Sequence, residues 1–156
     1  MIAVLQRADS AAVRVEGRTL GSIERGLLIL LGVGKGDTAE DAALLAAKIA
    51  ACRIFEDGAG KMNLSLCDVG GGALVISNFT LLADYRKGNR PSYFDAAPPA
   101  EAKALYLEFV KLLSQYVERV ETGEFGADMR ISLAANGPVT IVMDSEILKK
   151  GRGKNQ

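Results

Sequence analysis

The stretch SNFTL, Ser77 to Leu81, sets two hydroxyls and one amide inside an otherwise apolar run, ALVISNFTLLA. Polar side chains in such a run cost free energy unless they are satisfied, which invites a chemical reading. Thr80 is a candidate nucleophile. If the strand ends at a pocket near Phe79 and Thr80, their backbone N–H groups are candidate donors to an oxyanion, an effect worth roughly 3–4 kcal/mol of barrier. Threonine is also a good strand residue, so the structural reading stays open at this point. The chain contains no histidine. A Ser-His-Asp triad, a Cys-His pair and a histidine-bound zinc site are therefore excluded, and Thr80 would need an unusual base. Carboxylates, a hydroxyl, backbone groups, a group of the substrate or a bound ion are what remains.

A second stretch, SLAANGPVTIVMDS, places Gly137-Pro138 between two apolar, β-branched runs. Proline has no N–H for a sheet ladder and drives the residue before it away from helical angles. The pair is either a hairpin turn or a shaped piece of backbone. The glycine-rich LGVGKGD, Leu31 to Asp37, lacks the spacing of a nucleotide loop and reads as a strand-to-helix turn. Cys52 and Cys67, fifteen residues apart, form no metal motif and no disulfide framework, and are expected in or near the core. Nineteen basic and nineteen acidic residues cancel, so the chain as a whole has no electrostatic footprint for nucleic acid. Charge is uneven, however: DYRKGNRPS carries Arg86, Lys87 and Arg90, and the end LKKGRGKNQ carries Lys149, Lys150, Arg152 and Lys154 without an acid. Either could meet phosphate, or lie solvated.

The elements that would position these groups can be read from hydrophobic period. AVRVEGRTLGSI alternates about Glu16-Gly17-Arg18 as a hairpin does, and GLLILLGVG suits a strand buried on both faces. GDTAEDAALLAAKIAACRIF reads as a helix with Asp37 as its cap and Glu40 reaching back. ALVISNFTLLA is a strand candidate, and a second helix is expected from about Pro99 to Val120, with Leu105, Phe109, Leu112, Leu113, Tyr116 and Val120 on one face. MRISLA and VTIVMD are strand candidates on either side of Gly137-Pro138. A chain of 156 residues with 49% hydrophobic and 24% charged residues makes one ordinary globular domain. Its order predicts α+β: a mixed, mostly antiparallel, barrel-like sheet with two main helices, a domain over 1–145 and a basic tail over 146–156. No run is long enough to span a bilayer and no signal peptide is evident, so a cytoplasmic protein is expected, with no membrane partner.

Taken in order, Gln6-Arg7, GLLILLGVGKGDT, RIFEDGAGKMNLSL, SNFTLLADYRKGNRPSYFDAAPP, TGEFGADM and NGPVT closely resemble the D-aminoacyl-tRNA deacylases, the D-tyrosyl-tRNA deacylase family. The likeness covers about Met1 to Ser145. It implies that family's fold and hydrolysis of the ester joining a D-amino acid to the terminal ribose of tRNA, as chiral proofreading in translation, without cofactor or metal. It further implies a homodimer with active sites at the subunit interface. Ser77 and Asn78 would floor the pocket, the N–H groups of Phe79 and Thr80 would stabilise the oxyanion, and Met129 would line the wall. Gly137 and Pro138 of the partner, joined by a cis bond, would enter the pocket and exclude L-substrates, with Arg7 holding that loop. Glycine has no side chain to exclude, so glycyl-tRNA should also be cleaved. A neighbouring 2′-hydroxyl could activate the water. This chain has Asn78 where the family usually has glutamine, which opens the role of that position. Competing readings are a relative of the same fold that accepts misacylated L-alanyl-tRNA, and a non-catalytic module that binds aminoacyl ends.

Overall fold

A computed structural model describes residues 1–152. The chain begins with a long strand, β1 (Ile2–Val15), which turns through Glu16 and Gly17 into β2 (Arg18–Ile23). Both turn residues have positive φ, 49° and 78°, as a tight hairpin of this hand requires. β3 (Gly26–Gly32) then runs antiparallel to the first half of β1 and is buried almost throughout, as its unbroken apolar run predicts. Helix α1 (Ala39–Ala51) crosses over, a small hairpin of β4 (Phe55–Glu56) and β5 (Met62–Leu64) follows, and β6 (Gly72–Ser77) joins β3 in parallel. A single 3₁₀ turn, Phe79–Leu82, and a long loop lead to α2 (Pro99–Leu113), then β7 (Val120–Thr122), which is parallel to β6. β8 (Arg130–Asp144) lies antiparallel along nearly the whole of β1, and α3 (Ser145–Arg152) ends the described chain.

The strands run β2-β1-β3-β6-β7, with β8 on the other side of β1. The result is one mixed, near-closed, barrel-like α+β sheet. Its main core lies between the sheet and helices α1 and α2, where Leu5, Leu27, Ile29, Leu45, Ile49, Phe109 and Leu113 are fully buried. A smaller cluster, with Val13, Ile23, Leu28, Leu74 and Ile76, fills the opposite face. Tyr106 reaches from α2 to the sheet and donates to the Val75 carbonyl at 2.8 Å. Burial pushes its phenol up to about 12, so it stays a protonated donor.

Several expectations need correction. Helix α1 is capped by Thr38 and not by Asp37: the Thr38 N–H and hydroxyl both donate to Asp41 Oδ2, at 2.8 and 3.0 Å. Asp37 is engaged elsewhere, accepting the Gly34 N–H at 2.6 Å and the Met1 ammonium at 2.7 Å. Helix α2 stops at Leu113 and does not reach Val120, because the Ser114 hydroxyl turns back to the Val110 carbonyl and the next N–H groups close shorter turns. MRISLA and VTIVMD are one strand, so Gly137-Pro138 is no hairpin. Cys67 is exposed, while Cys52 is half-buried. The segment from 146 onward begins as α3, and Lys149 pairs with the buried Asp41 at 2.6 Å. Lys154 lies outside the described residues.

Candidate active site

β6 ends at Ser77, six residues short of the expected strand ALVISNFTLLA, and the polypeptide coils into the 3₁₀ turn that carries Phe79 and Thr80. The expected strand through SNFTL is thus a strand followed by a turn. Asn78 stays attached to the sheet, its N–H donating to the Leu31 carbonyl at 2.8 Å. Gly32 makes the close approach possible. A Cβ there would lie 2.6 Å from Leu82, 3.0 Å from Leu81 and 3.1 Å from the Asn78 carbonyl oxygen. The first N–H groups of any helical turn have no partner within it. Among the described residues, those of Phe79 and Thr80 have no hydrogen-bond acceptor.

Phe79 borders a cavity of about 650 Å³ whose lining is mainly apolar. Ser77, Asn78 and Phe79 form one side, and Met129 and Phe125 come from the segment before β8. Tyr93, Phe94, Ala96 and Ala97 arrive from the long loop, and Lys35 from within the β3–α1 turn. Tyr93 meets Phe79 edge to face, with centroids 5.2 Å apart, and Lys35 Nζ sits 3.3 Å over the Phe94 ring. The structure therefore brings together Ser77, Asn78, Phe79 and Met129. Thr80 is adjacent but does not line the cavity. Its hydroxyl donates to Asn78 Oδ1, an amide oxygen too weakly basic to activate a nucleophile.

Gly137 and Pro138 are elsewhere. In the β1–β8 ladder Gln6 faces Thr140 and Ala8 faces Ala135, so Arg7 alone stands opposite Asn136, Gly137, Pro138 and Val139. The extra residues leave the strand as a bulge whose tip, Gly137 and Pro138, is exposed. The Gly137–Pro138 bond is cis, and Gly137 has φ +123°. A Cβ at Gly137 would fall 2.7 Å from the Val139 nitrogen and 3.2 Å from Arg7 Nη2, so this position requires glycine. Arg7 is buried. It donates through Nη1 to the Ile54 carbonyl at 2.8 Å, through Nη2 to Asn136 Oδ1 at 2.9 Å and through Nε to the Asn136 carbonyl at 3.3 Å. From the other side Gln6 Nε2 donates to the Val139 carbonyl at 3.3 Å.

Sequence reasoning had missed Asn136, which receives Arg7, and the aromatic wall of Tyr93 and Phe94. The SYF triplet in an otherwise polar loop was the available signal for the wall. Among the described residues, no three His, Cys, Asp or Glu side chains gather as a metal site would need, and no helix is long and apolar enough to cross a membrane.

A mixed near-closed sheet with a hydrophobic cavity at the end of a parallel strand pair, backed by free N–H donors, suits an ester hydrolase. A solved structure named c-Myc DNA Unwinding Element Binding Protein superposes with a TM-score of 0.88 and 36% identity, over 92% of this chain and 98% of that one. Another, described as a probable eukaryotic D-amino acid tRNA deacylase, shares the fold at a TM-score of 0.78 and 17% identity. A family model for D-Tyr-tRNA(Tyr) deacylase matches residues 4–144. The D-aminoacyl-tRNA deacylase of Thermosipho africanus is 58% identical over 146 residues, 94% of this chain and 98% of that protein. That of Anaeromyxobacter dehalogenans is 57% identical over 148 residues, 95% and 99% of the two chains. The chain belongs to the D-aminoacyl-tRNA deacylase family: it is a hydrolase that deacylates D-aminoacyl-tRNA.

Proposed function

We propose that the cavity beside Ser77, Asn78 and Phe79 holds the aminoacyl ester, and that the Gly137-Pro138 bulge of a second copy of the chain reads its handedness. The observation that carries this reading is a separation. β1 and β3 lie between β8 and β6, and neither Gly137 nor Pro138 lines the chain's own cavity. A rigid, exposed backbone tip that cannot serve its own site is suited to serve a partner's. β8 supports such pairing: it is a long edge strand with Ile131, Leu133 and Val142 exposed, the kind of edge that invites a second chain.

In the reaction, water attacks the ester carbonyl while the neighbouring 2′-hydroxyl of the ribose assists its deprotonation. The N–H groups of Phe79 and Thr80 donate to the oxyanion of the tetrahedral intermediate. Collapse breaks the bond to the ribose oxygen, which takes the proton, and releases the D-amino acid and tRNA. Ser77, Asn78 and Met129 shape the cavity around the α-carbon. A site for many side chains must discriminate at the α-carbon, and a backbone wall does so by steric refusal. Glycyl-tRNA offers nothing to refuse and is cleaved too. The work belongs in the cytoplasm, where tRNA is charged and used.

The test is a mixed dimer of two differently tagged chains. One carries Gly137→Ala, which disrupts its bulge, and the other Ala96→Trp, which fills its cavity. If bulges serve partner cavities, the mixed dimer regains one site that cleaves D-tyrosyl- but not L-tyrosyl-tRNA. If each bulge served its own chain, the one open cavity would face a damaged bulge and no selective site would return.

A further inference from the structure

The reaction leaves unused the most basic exposed feature near the cavity, the loop between Asp84 and Ser92. It is a built arch. Asp84 and Ser92 exchange backbone hydrogen bonds of 2.7 and 2.8 Å across its base. Asp84 also grips Arg86 with both carboxylate oxygens, at 2.8 and 2.7 Å, and accepts the Arg86 N–H at 3.1 Å. The Arg86 charge is thereby matched inside the loop. Lys87 and Arg90, on the exposed crown, have no acidic partner within 4.0 Å among the described residues. Tyr85 beside them is 77% exposed, an aromatic face with no covering.

The arch is continuous with the site at both ends. It begins just after the 3₁₀ turn that bears Phe79 and Thr80, and beyond Ser92 it becomes Tyr93 and Phe94 of the cavity wall. The crown is therefore tied by short lengths of chain to two sides of the cavity. Deacylation of many D-amino acids cannot draw its affinity from the side chain, so the tRNA must supply it. The chain has a formal net charge of zero, so that affinity has no long-range field to rest on and needs local cations.

We propose that this loop binds the single-stranded 3′ end of the tRNA as it leaves the cavity, with Lys87 and Arg90 on backbone phosphates and Tyr85 as a surface on which a base stacks. The proposal rests on the cavity holding the aminoacyl ester. It assigns Arg86 a different part: held by Asp84, it shapes the arch and adds no phosphate contact. Phosphate contacts raise affinity without regard to base sequence and weaken with salt, by about 0.7 in log–log slope per contact on a single strand. Stacking on an aromatic face is equally tolerant of sequence.

The experiment compares wild type with the double variant Lys87→Ala/Arg90→Ala on D-tyrosyl-tRNA from about 50 to 300 mM salt. The expected result is a KM raised roughly tenfold at the lowest salt, a salt slope shallower by about 1.4, and kcat within about twofold. Lys87→Arg/Arg90→Lys should restore both KM and slope. On D-tyrosyl-adenosine, an ester with no phosphate, the double variant and wild type should have the same KM. A wild-type salt slope in the double variant, or an equal KM rise on the phosphate-free ester, would overturn the proposal. The assignment of the cavity is judged separately: if Ala96→Trp leaves cleavage of D-tyrosyl-adenosine intact, the cavity reading fails, whatever the salt slope shows.

Discussion

The Arg7 guanidinium reaches across the sheet to Asn136, bonding both the side-chain oxygen at 2.9 Å and the backbone carbonyl at 3.3 Å, while its remaining arm holds the Ile54 carbonyl at 2.8 Å. One buried cation thus fixes the root of the Gly137-Pro138 bulge to the chain that follows α1. Arg7→Ala should cost about 3 kcal/mol of stability, since it strands a buried acceptor on Ile54 and two part-buried ones on Asn136 at once. Arg7→Lys should recover little of that, because one ammonium cannot span the same fork. Urea unfolding midpoints measure the first effect. Protection of L-tyrosyl-tRNA from cleavage should fall in both variants, while an unchanged D-to-L ratio would detach the bulge from selectivity.

Thr80→Val should leave kcat within about tenfold of wild type, because the hydroxyl donates to Asn78 and faces no base. A true nucleophile would cost about 10⁴-fold or more. Single-turnover hydrolysis of D-tyrosyl-tRNA separates the two outcomes cleanly.

Gly32→Ala tests the seating of the 3₁₀ turn. The added methyl would press on Leu82, Leu81 and the Asn78 carbonyl. Overpacking of this kind costs about 1–3 kcal/mol. It should lower kcat more than it raises KM, since the turn being displaced carries the Phe79 and Thr80 N–H groups proposed as oxyanion donors. Equal kcat in a destabilised variant would show that these N–H groups do not act on the reacting ester.

Asp41 gives a pH prediction. Burial alone would raise its carboxyl, but the Lys149 ammonium, the Ser145 hydroxyl and the Thr38 N–H and hydroxyl outweigh that and hold it well below the usual 3.8. A group whose folded value is depressed contributes stability above its unfolded value and loses it as pH falls through the folded one. Wild type should therefore lose stability progressively below about pH 3.8. Asp41→Asn should be less stable at neutral pH and show a flatter acid limb. Lys149→Met should lower the neutral-pH melting temperature, with the deficit shrinking as Asp41 protonates. Thermal melts across pH 2 to 7 would show it, and parallel acid limbs in wild type and Asp41→Asn would refute it.

Much of this architecture was legible in the chain because local and tertiary demands agree. β3 is apolar on both faces because Leu27, Ile29 and Leu31 pack into the main core and Leu28 and Leu30 into the smaller cluster opposite, and the hairpin at Glu16-Gly17 is set by turn chemistry. The misreadings occurred where they part. Asp37 looks like a cap, but its carboxylate is claimed by Gly34 and Met1, which lie on other elements. Gly137-Pro138 looks like a turn because a proline ends most strands, and only the β1 partner shows that β8 resumes its ladder beyond it. Tyr93 and Phe94 carry no periodic signal, so their place in the cavity wall depends on an arch closed by the bonds between Asp84 and Ser92. Ser77, Phe79 and Met129 share one cavity as the resemblance of SNFTL and TGEFGADM leads one to expect, and Asn78 lines it too although it departs from the usual glutamine.

The bulge root is bonded through Arg7 to Ile54, and the Ile54 side chain is itself part of the close-packed interior. A gauge must be stiffer than the object it sizes. For the tip to read handedness as proposed, its stiffness is borrowed from the core, whose low compressibility passes to it through one guanidinium. The margin of error in such an instrument is then set by mechanical compliance and not by binding strength. Mutations that soften the core near Ile54 should blur it well before they unfold it.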